Sequence, residues 1–162
     1  MHVLRCFDDP NVVHVDGSVD PIRDKEIIDA ELQLKDLETV DARIQKVQKQ
    51  AQTGGDKQAK QIYDVLVKYK AALEQGLSAR TVTFDTKDEE KIARELFLLT
   101  AKPVLYVCNV DEASAATGNE YVERVREVAK QEGAEVLVIA AKIESEIAEF
   151  ETYEERQMFL AE

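Results

Sequence analysis

Val104-Leu105-Tyr106-Val107-Cys108-Asn109-Val110-Asp111-Glu112 is the stretch on which the fold turns. Its apolar run stops abruptly at polar residues. An uninterrupted run of this length reads as a strand buried on both faces, which is the habit of parallel sheets covered by helices. Val136-Leu137-Val138-Ile139 repeats the pattern, and Val3-Leu4-Arg5-Cys6-Phe7, closed by Asp8-Asp9-Pro10, supplies a third strand. Helical segments alternate with these strands. Glu120–Glu132 is capped by Asn119 and stopped by Gly133. Asp85–Thr100 carries Ile92, Leu96 and Leu99 on one face and ends at Lys102-Pro103. Thr152-Tyr153-Glu154-Glu155 is a capping box for a final helix. The alternation predicts an α/β fold with three parallel strands and flanking helices.

An interruption follows the first strand. Asp20-Pro21 supplies an N-cap and a proline at the first helical position. From there Ile27, Ala30, Leu34, Leu37, Val40, Ile44, Val47 and Ala51 recur at helical spacing, and Thr53-Gly54-Gly55-Asp56 ends the run. Ala59, Ile62, Leu66, Tyr69 and Leu73 then form a heptad-like seam closed by Gly76. Two helices joined by so short a turn must run antiparallel. The expected organisation is an antiparallel coiled-coil helical hairpin, residues 21–77, inserted into an α/β unit made of residues 1–20 and 78–162.

Composition narrows the function classes. At 44% hydrophobic and 33% charged residues, the 162-residue chain is neither collagenous, low-complexity nor disulfide-rich. Its longest apolar runs are strand-sized, and Met1-His2-Val3-Leu4-Arg5 has no signal-peptide order. Cys6 and Cys108 lie inside apolar runs, as core thiols of a reduced, cytoplasmic protein do. Two histidines are too few for a catalytic triad argument, and the His and Cys spacings match no metal motif, so neither catalytic nor metal residues are expected. The net charge of −12 argues against blanket nucleic-acid binding. Residues 43–60 depart from it, with Arg43, Lys46, Lys49, Lys57 and Lys60 against Asp56 alone. Such a cluster at a hairpin tip is either a solvated face or a contact for a phosphate backbone.

Ligands of open parallel sheets bind beyond the carboxyl ends of the strands. Two of those ends carry Asn109-x-x-Glu112 and Ala140-Ala141-Lys142. An Asn amide both donates and accepts, so it can read a purine edge, and a nearby carboxylate accepts from ring donors. Small residues at the second end let backbone N–H groups approach a base. The candidate base-reading set is Asn109, Val110 (through its backbone), Glu112, Ala140, Ala141 and Lys142.

His2–Phe7, His14-Val15-Asp16-Gly17-Ser18-Val19-Asp20-Pro21, Glu31-Leu32, Asp36-Leu37-Glu38, Gly54-Gly55-Asp56, Phe97-Leu98-Leu99-Thr100-Ala101-Lys102-Pro103 and Asn109-x-x-Glu112 resemble, in collinear order, the YchF / Obg-like ATPase family of P-loop proteins. The resemblance implies a partial P-loop NTPase sheet and a parent that hydrolyses ATP or GTP with Mg²⁺ in the cytoplasm. It also implies ribosome or RNA association in which the hairpin is involved. Asn109 and Glu112 would stand where related GTPases carry Asn-Lys-x-Asp. Glu112 sets the carboxylate one methylene further out, which weakens the pair with guanine N1–H and N2–H₂, and Val110 replaces the Lys stem along the base. The resemblance associates this departure with accepting ATP as well as, or rather than, GTP, and so implies that ATP is favoured.

The 162 residues contain no Gly-x-x-x-x-Gly-Lys-Ser/Thr, the loop that holds phosphates. The resemblance places that loop before His2 and a small β-rich TGS domain after Glu162. The expectation is an internal segment that holds the base-recognition half, without the N-terminal P-loop half. Alone it should be inactive, hold no nucleotide tightly, bind no membrane and tend to self-associate through an exposed edge of the Val3–Phe7 strand. The alternative expectation is a non-catalytic module whose basic tip contacts ribosome, RNA or a partner protein.

Overall fold

The computed structural model describes residues 1–11, 17–52 and 57–161. They form two compact units, Met1–Lys25 with Val104–Glu162, and Glu26–Pro103. Residues 78–103 thus fall with the hairpin, not with the α/β part assigned from sequence.

The first unit is built on a parallel sheet in the order β1-β2-β3: β1 His2–Arg5, β2 Leu105–Asn109 and β3 Glu135–Ile139. β1 is shorter than the expected Val3–Phe7, although Cys6 N–H still donates to Asn109 O at 2.8 Å. Leu4, Cys6, Tyr106 and Cys108 pack against Val122, Val125 and Ala129 of α4, Glu120–Glu132. Burying side chains of this size stabilises by about 1.5–3 kcal/mol each for Val, Leu or larger. Asn119 accepts from Val122 N–H at 3.1 Å, and Gly133 at φ 66° stops α4, as expected. The other face departs from the sequence reading. Val3, Val107 and Leu137 share one register row, with Val107 buried but Val3 62% and Leu137 47% exposed. Burial on both faces therefore holds for β2 only.

Two further helices follow β3. α5, Ala141–Glu149, starts directly after Ala140, one residue beyond the end of β3. α6, Tyr153–Ala161, begins with the expected capping box, in which Glu155 N–H donates to Thr152 Oγ1 and Thr152 N–H to Glu155 Oε2.

α1 spans Pro21–Gln52, and its start is fixed by Asp20 Oδ1, which accepts from Ile22 and Arg23 N–H. α2 spans Lys57–Leu73 and is followed by Gly76 at φ 71°. The Gly54-Gly55-Asp56 turn expected between them lies outside the described residues. Lys70 pairs with Asp41 at 2.6 Å, and Gln33 donates to Ser78 at 3.3 Å. The partner's number rises as the α1 number falls, so the second unit is an antiparallel hairpin. Val40, Val65, Leu66, Tyr69 and Leu73 are its buried centre, with Leu37, Ile44, Val47 and Ile62 against them.

The apolar stripe expected on α1 fails toward its start. Ile27 is 46% and Leu34 62% exposed, while Lys25 and Asp36 are buried. In the first unit, Lys25 Nζ lies 2.6 Å from Glu132 Oε1, and Tyr106 OH donates to Glu132 Oε2 at 2.6 Å. Charges buried this deeply persist because each has a partner at hydrogen-bond distance.

The helix expected over Asp85–Thr100 is α3, Lys87–Glu95. It ends early because Leu96 and Leu98 are both drawn into the core, which turns Phe97 outward at φ 54°. Asp36 holds the chain there: Leu99 N–H, Thr100 N–H and Thr100 Oγ1–H each donate to its carboxylate at 2.7 Å.

Candidate functional site

Asn109 closes β2 opposite Ile139, the last residue of β3. The ladder continues one step, with Val110 N–H donating to Ile139 O at 2.8 Å. Beyond it the two strand ends are joined by a side chain, because Ala141 N–H donates to Asn109 Oδ1 at 3.0 Å. That bond fixes the orientation of the amide. Its oxygen is engaged, and Nδ2 is the group left to donate to a ligand.

Asn109, Val110, Ala140 and Ala141 are thus brought together at the carboxyl ends of β2 and β3, with Lys142 exposed in the first turn of α5. The backbone of Val110 is partly committed. Its N–H is committed to Ile139 and its side chain is buried in the core, so only its carbonyl remains for a base. Glu112 is exposed on a 3-10 turn, Glu112–Ser114. The same turn is capped by Asp111, whose carboxylate accepts from Ser114 N–H at 2.9 Å.

The sequence marks Asn119 only as a helix cap. Its Nδ2 also donates to Cys6 O at 2.7 Å and reaches Ser114 Oγ at 3.4 Å. Cys6 in turn donates to Asn109 O. The loop carrying Glu112 is therefore braced to the end of β1 and, through it, to Asn109. Only the register between distant strands reveals this. Behind Asn109 sit the thiols of Cys6 and Cys108, both buried. The Cys6 thiol is pushed well above its usual range by its hydrogen bond with Cys108 and by burial.

The basic cluster lies on the second unit. Lys46 and Lys49 of α1 and Lys57 and Lys60 of α2 are exposed, and Arg43 is half-buried. Among the described residues none of the five makes an ion pair, whereas Lys35, Lys68 and Lys70 all do. Asp56, the acid within this cluster, lies outside the described residues.

A three-stranded parallel sheet with flanking helices, polar residues at its carboxyl ends and an attached helical hairpin defines part of a P-loop NTPase fold. No family model matches the chain. The ribosome-binding ATPase YchF of Bacillus subtilis is 52% identical over 163 residues, 99% of this chain and 44% of that protein. The chain belongs to the YchF / Obg-like ATPase family. Obg-like ATPase 1 of Rattus norvegicus is 38% identical over 98% of this chain and 41% of its own length. The solved structure of the Schizosaccharomyces pombe YchF GTPase superposes with a TM-score of 0.81 at 30% identity, over 96% of this chain and 43% of that one. The chain spans less than half the length of these relatives.

Proposed function

We propose that these 162 residues are the base-recognition portion of a YchF-like protein that binds and hydrolyses ATP or GTP, ATP favoured, and associates with ribosomes. The supporting observation is the Ala141 N–H to Asn109 Oδ1 bond, which leaves Asn109 Nδ2 as a donor at the sheet's carboxyl edge. A donor there suits a ring-nitrogen acceptor common to adenine and guanine, so Asn109 selects purines without choosing between them. Choice falls to Glu112, whose longer side chain fits guanine's paired donors poorly. Losing a matched hydrogen-bond pair costs about 1–3 kcal/mol, enough to erase guanine preference. Ala140, Ala141 and Lys142 supply small side chains and backbone next to the base. Phosphate and Mg²⁺ contacts require residues other than these. The test is Asn109→Ala in a YchF-like protein containing this segment. The reading expects the ATP dissociation constant to rise about tenfold or more, and an unchanged value contradicts it.

The second reading, a binding module, is favoured by Lys46, Lys49, Lys57 and Lys60, which are exposed and make no ion pair among the described residues. Co-sedimentation with ribosomes should fall when Lys46, Lys49, Lys57 and Lys60 are changed to Gln. Unchanged co-sedimentation removes the tip from the account. The exposed Val3 of β1 accords with self-association, which sedimentation velocity over a concentration series measures.

A further inference from the structure

Phe97 is the one non-glycine residue with positive φ among the described residues, and it is 78% exposed. A bulky residue held there is strained, and the conformation persists only where surrounding structure imposes it. Here the imposition is visible. Leu96 and Leu98 are 4% and 2% exposed, and the buried Asp36 carboxylate fixes the next two peptide N–H groups. The ring is therefore presented rigidly to solvent.

It stands at the end of α3, at the rim of a shallow hollow of about 470 Å³ shared with Lys87, Lys91 and Arg94. These three cations recur at i, i+4 and i+7, one ridge about 10 Å long. Glu90 and Glu95 flank the ridge, and Glu90 Oε2 lies 3.8 Å from Arg94. Among the described residues, Lys87 and Lys91 make no ion pair. An exposed ring beside a ridge of cations is the arrangement that stacks an unpaired base while holding its phosphates. The hollow is shallow and offers one ring and lysine stems, which suits a flat base better than a peptide anchor that must be enclosed.

We propose that Phe97 with Lys87, Lys91 and Arg94 forms a binding site for single-stranded RNA, distinct in residues from the hairpin-tip cations. Phe97 stacks a base, and the α3 ridge neutralises neighbouring phosphates.

The test is fluorescence anisotropy of a labelled 12-nucleotide oligouridylate with the 162-residue chain across a salt series. Phe97→Gly should weaken binding about tenfold without loss of thermal stability, since glycine accepts the positive φ, and Phe97→Trp should retain it. Lys87→Gln, Lys91→Gln and Arg94→Gln together should reduce the salt slope by about 2. The tip variant is measured in parallel, so that loss of binding there alone upholds the tip and overturns this site. Unchanged affinity in Phe97→Gly, no binding by the parent chain, or equal competition by a polyglutamate peptide of the same length each overturns the proposal.

Discussion

Asp36 and Thr100, 64 residues apart, share two hydrogen bonds of 2.7 Å: Thr100 N–H and Oγ1–H both donate to Asp36 Oδ2. Thr100 Oγ1 accepts in turn from Ala79 N–H at 2.9 Å, and Leu99 N–H takes Asp36 Oδ1. One carboxylate on α1 thus fastens the 3-10 turn Ala79–Thr81 and the chain after α3 into the hairpin unit. Asp36→Ala leaves three donors without their acceptor at a site 2% exposed. Each orphaned buried donor costs about 1–3 kcal/mol, so urea denaturation should show a loss of about 3 kcal/mol or more. A loss below about 1 kcal/mol contradicts this role.

Two glycines separate space from conformation. Gly118 (φ 78°) and Gly133 (φ 66°) both lie in the left-handed region. A Cβ on Gly118 meets Val122 Cγ1 at 3.2 Å, whereas one on Gly133 meets nothing within 4 Å. Gly133→Ala should cost about 1 kcal/mol, the left-handed penalty alone. Gly118→Ala should cost more, because Val122 is fully buried and cannot retreat. Equal thermal shifts for the two would contradict the packing argument.

Acid sensitivity should include the α2–α3 contact. Lys68 Nζ lies 2.8 Å from Glu89 Oε1, and this bond, with Asp85 N–H donating to the same carboxylate, lowers the Glu89 pKa. A carboxyl group depressed on folding stabilises above its unfolded value and loses that contribution as pH falls through its folded value. Glu89 should therefore titrate by NMR below the ordinary glutamate range of about 4.3. Lys68→Met should move it back up, and no movement would remove the lysine as the cause.

The thiols give a chemical readout of the sheet. Cys6 and Cys108 are both 0% exposed, and the Cys6 proton is held by Cys108 and burial. Reaction requires a thiolate with access to reagent. Neither should react with a bulky aromatic disulfide at pH 8 in native buffer, and both should react at once in 6 M guanidinium. Prompt native reactivity would mean that this part of the sheet opens.

The apolar strands, the caps at Asp20, Asn119 and Thr152 and the stop at Gly133 were all legible, because each signal is local. What the sequence hid was tertiary. Lys25 and Asp36 look like solvent-facing charges until Glu132, Tyr106 and Thr100 are placed beside them, so the sequence pattern points to Ile27, Ala30 and Leu34 as the buried face of α1 instead. No glycine or proline marks the end of α3. Asp36, far upstream, ends it by capturing the amides of Leu99 and Thr100. α5 has no local start signal, since Ala140 offers no side-chain cap. Asn109 was legible as a polar residue closing a strand, but its Ala141 partner depends on the β2–β3 register. That same register takes up the Val110 N–H and leaves its carbonyl.

Base recognition at the ends of β2 and β3 is tested most directly by titrating the ¹⁵N-labelled chain with ATP, GTP and adenosine. The account predicts weak, purine-dependent shifts of the Asn109 side-chain amide and of Glu112 and Ala140–Lys142, with Asn109→Ala abolishing them. Low-micromolar affinity of this chain for a triphosphate, or shifts confined to residues away from these two strand ends, would contradict it.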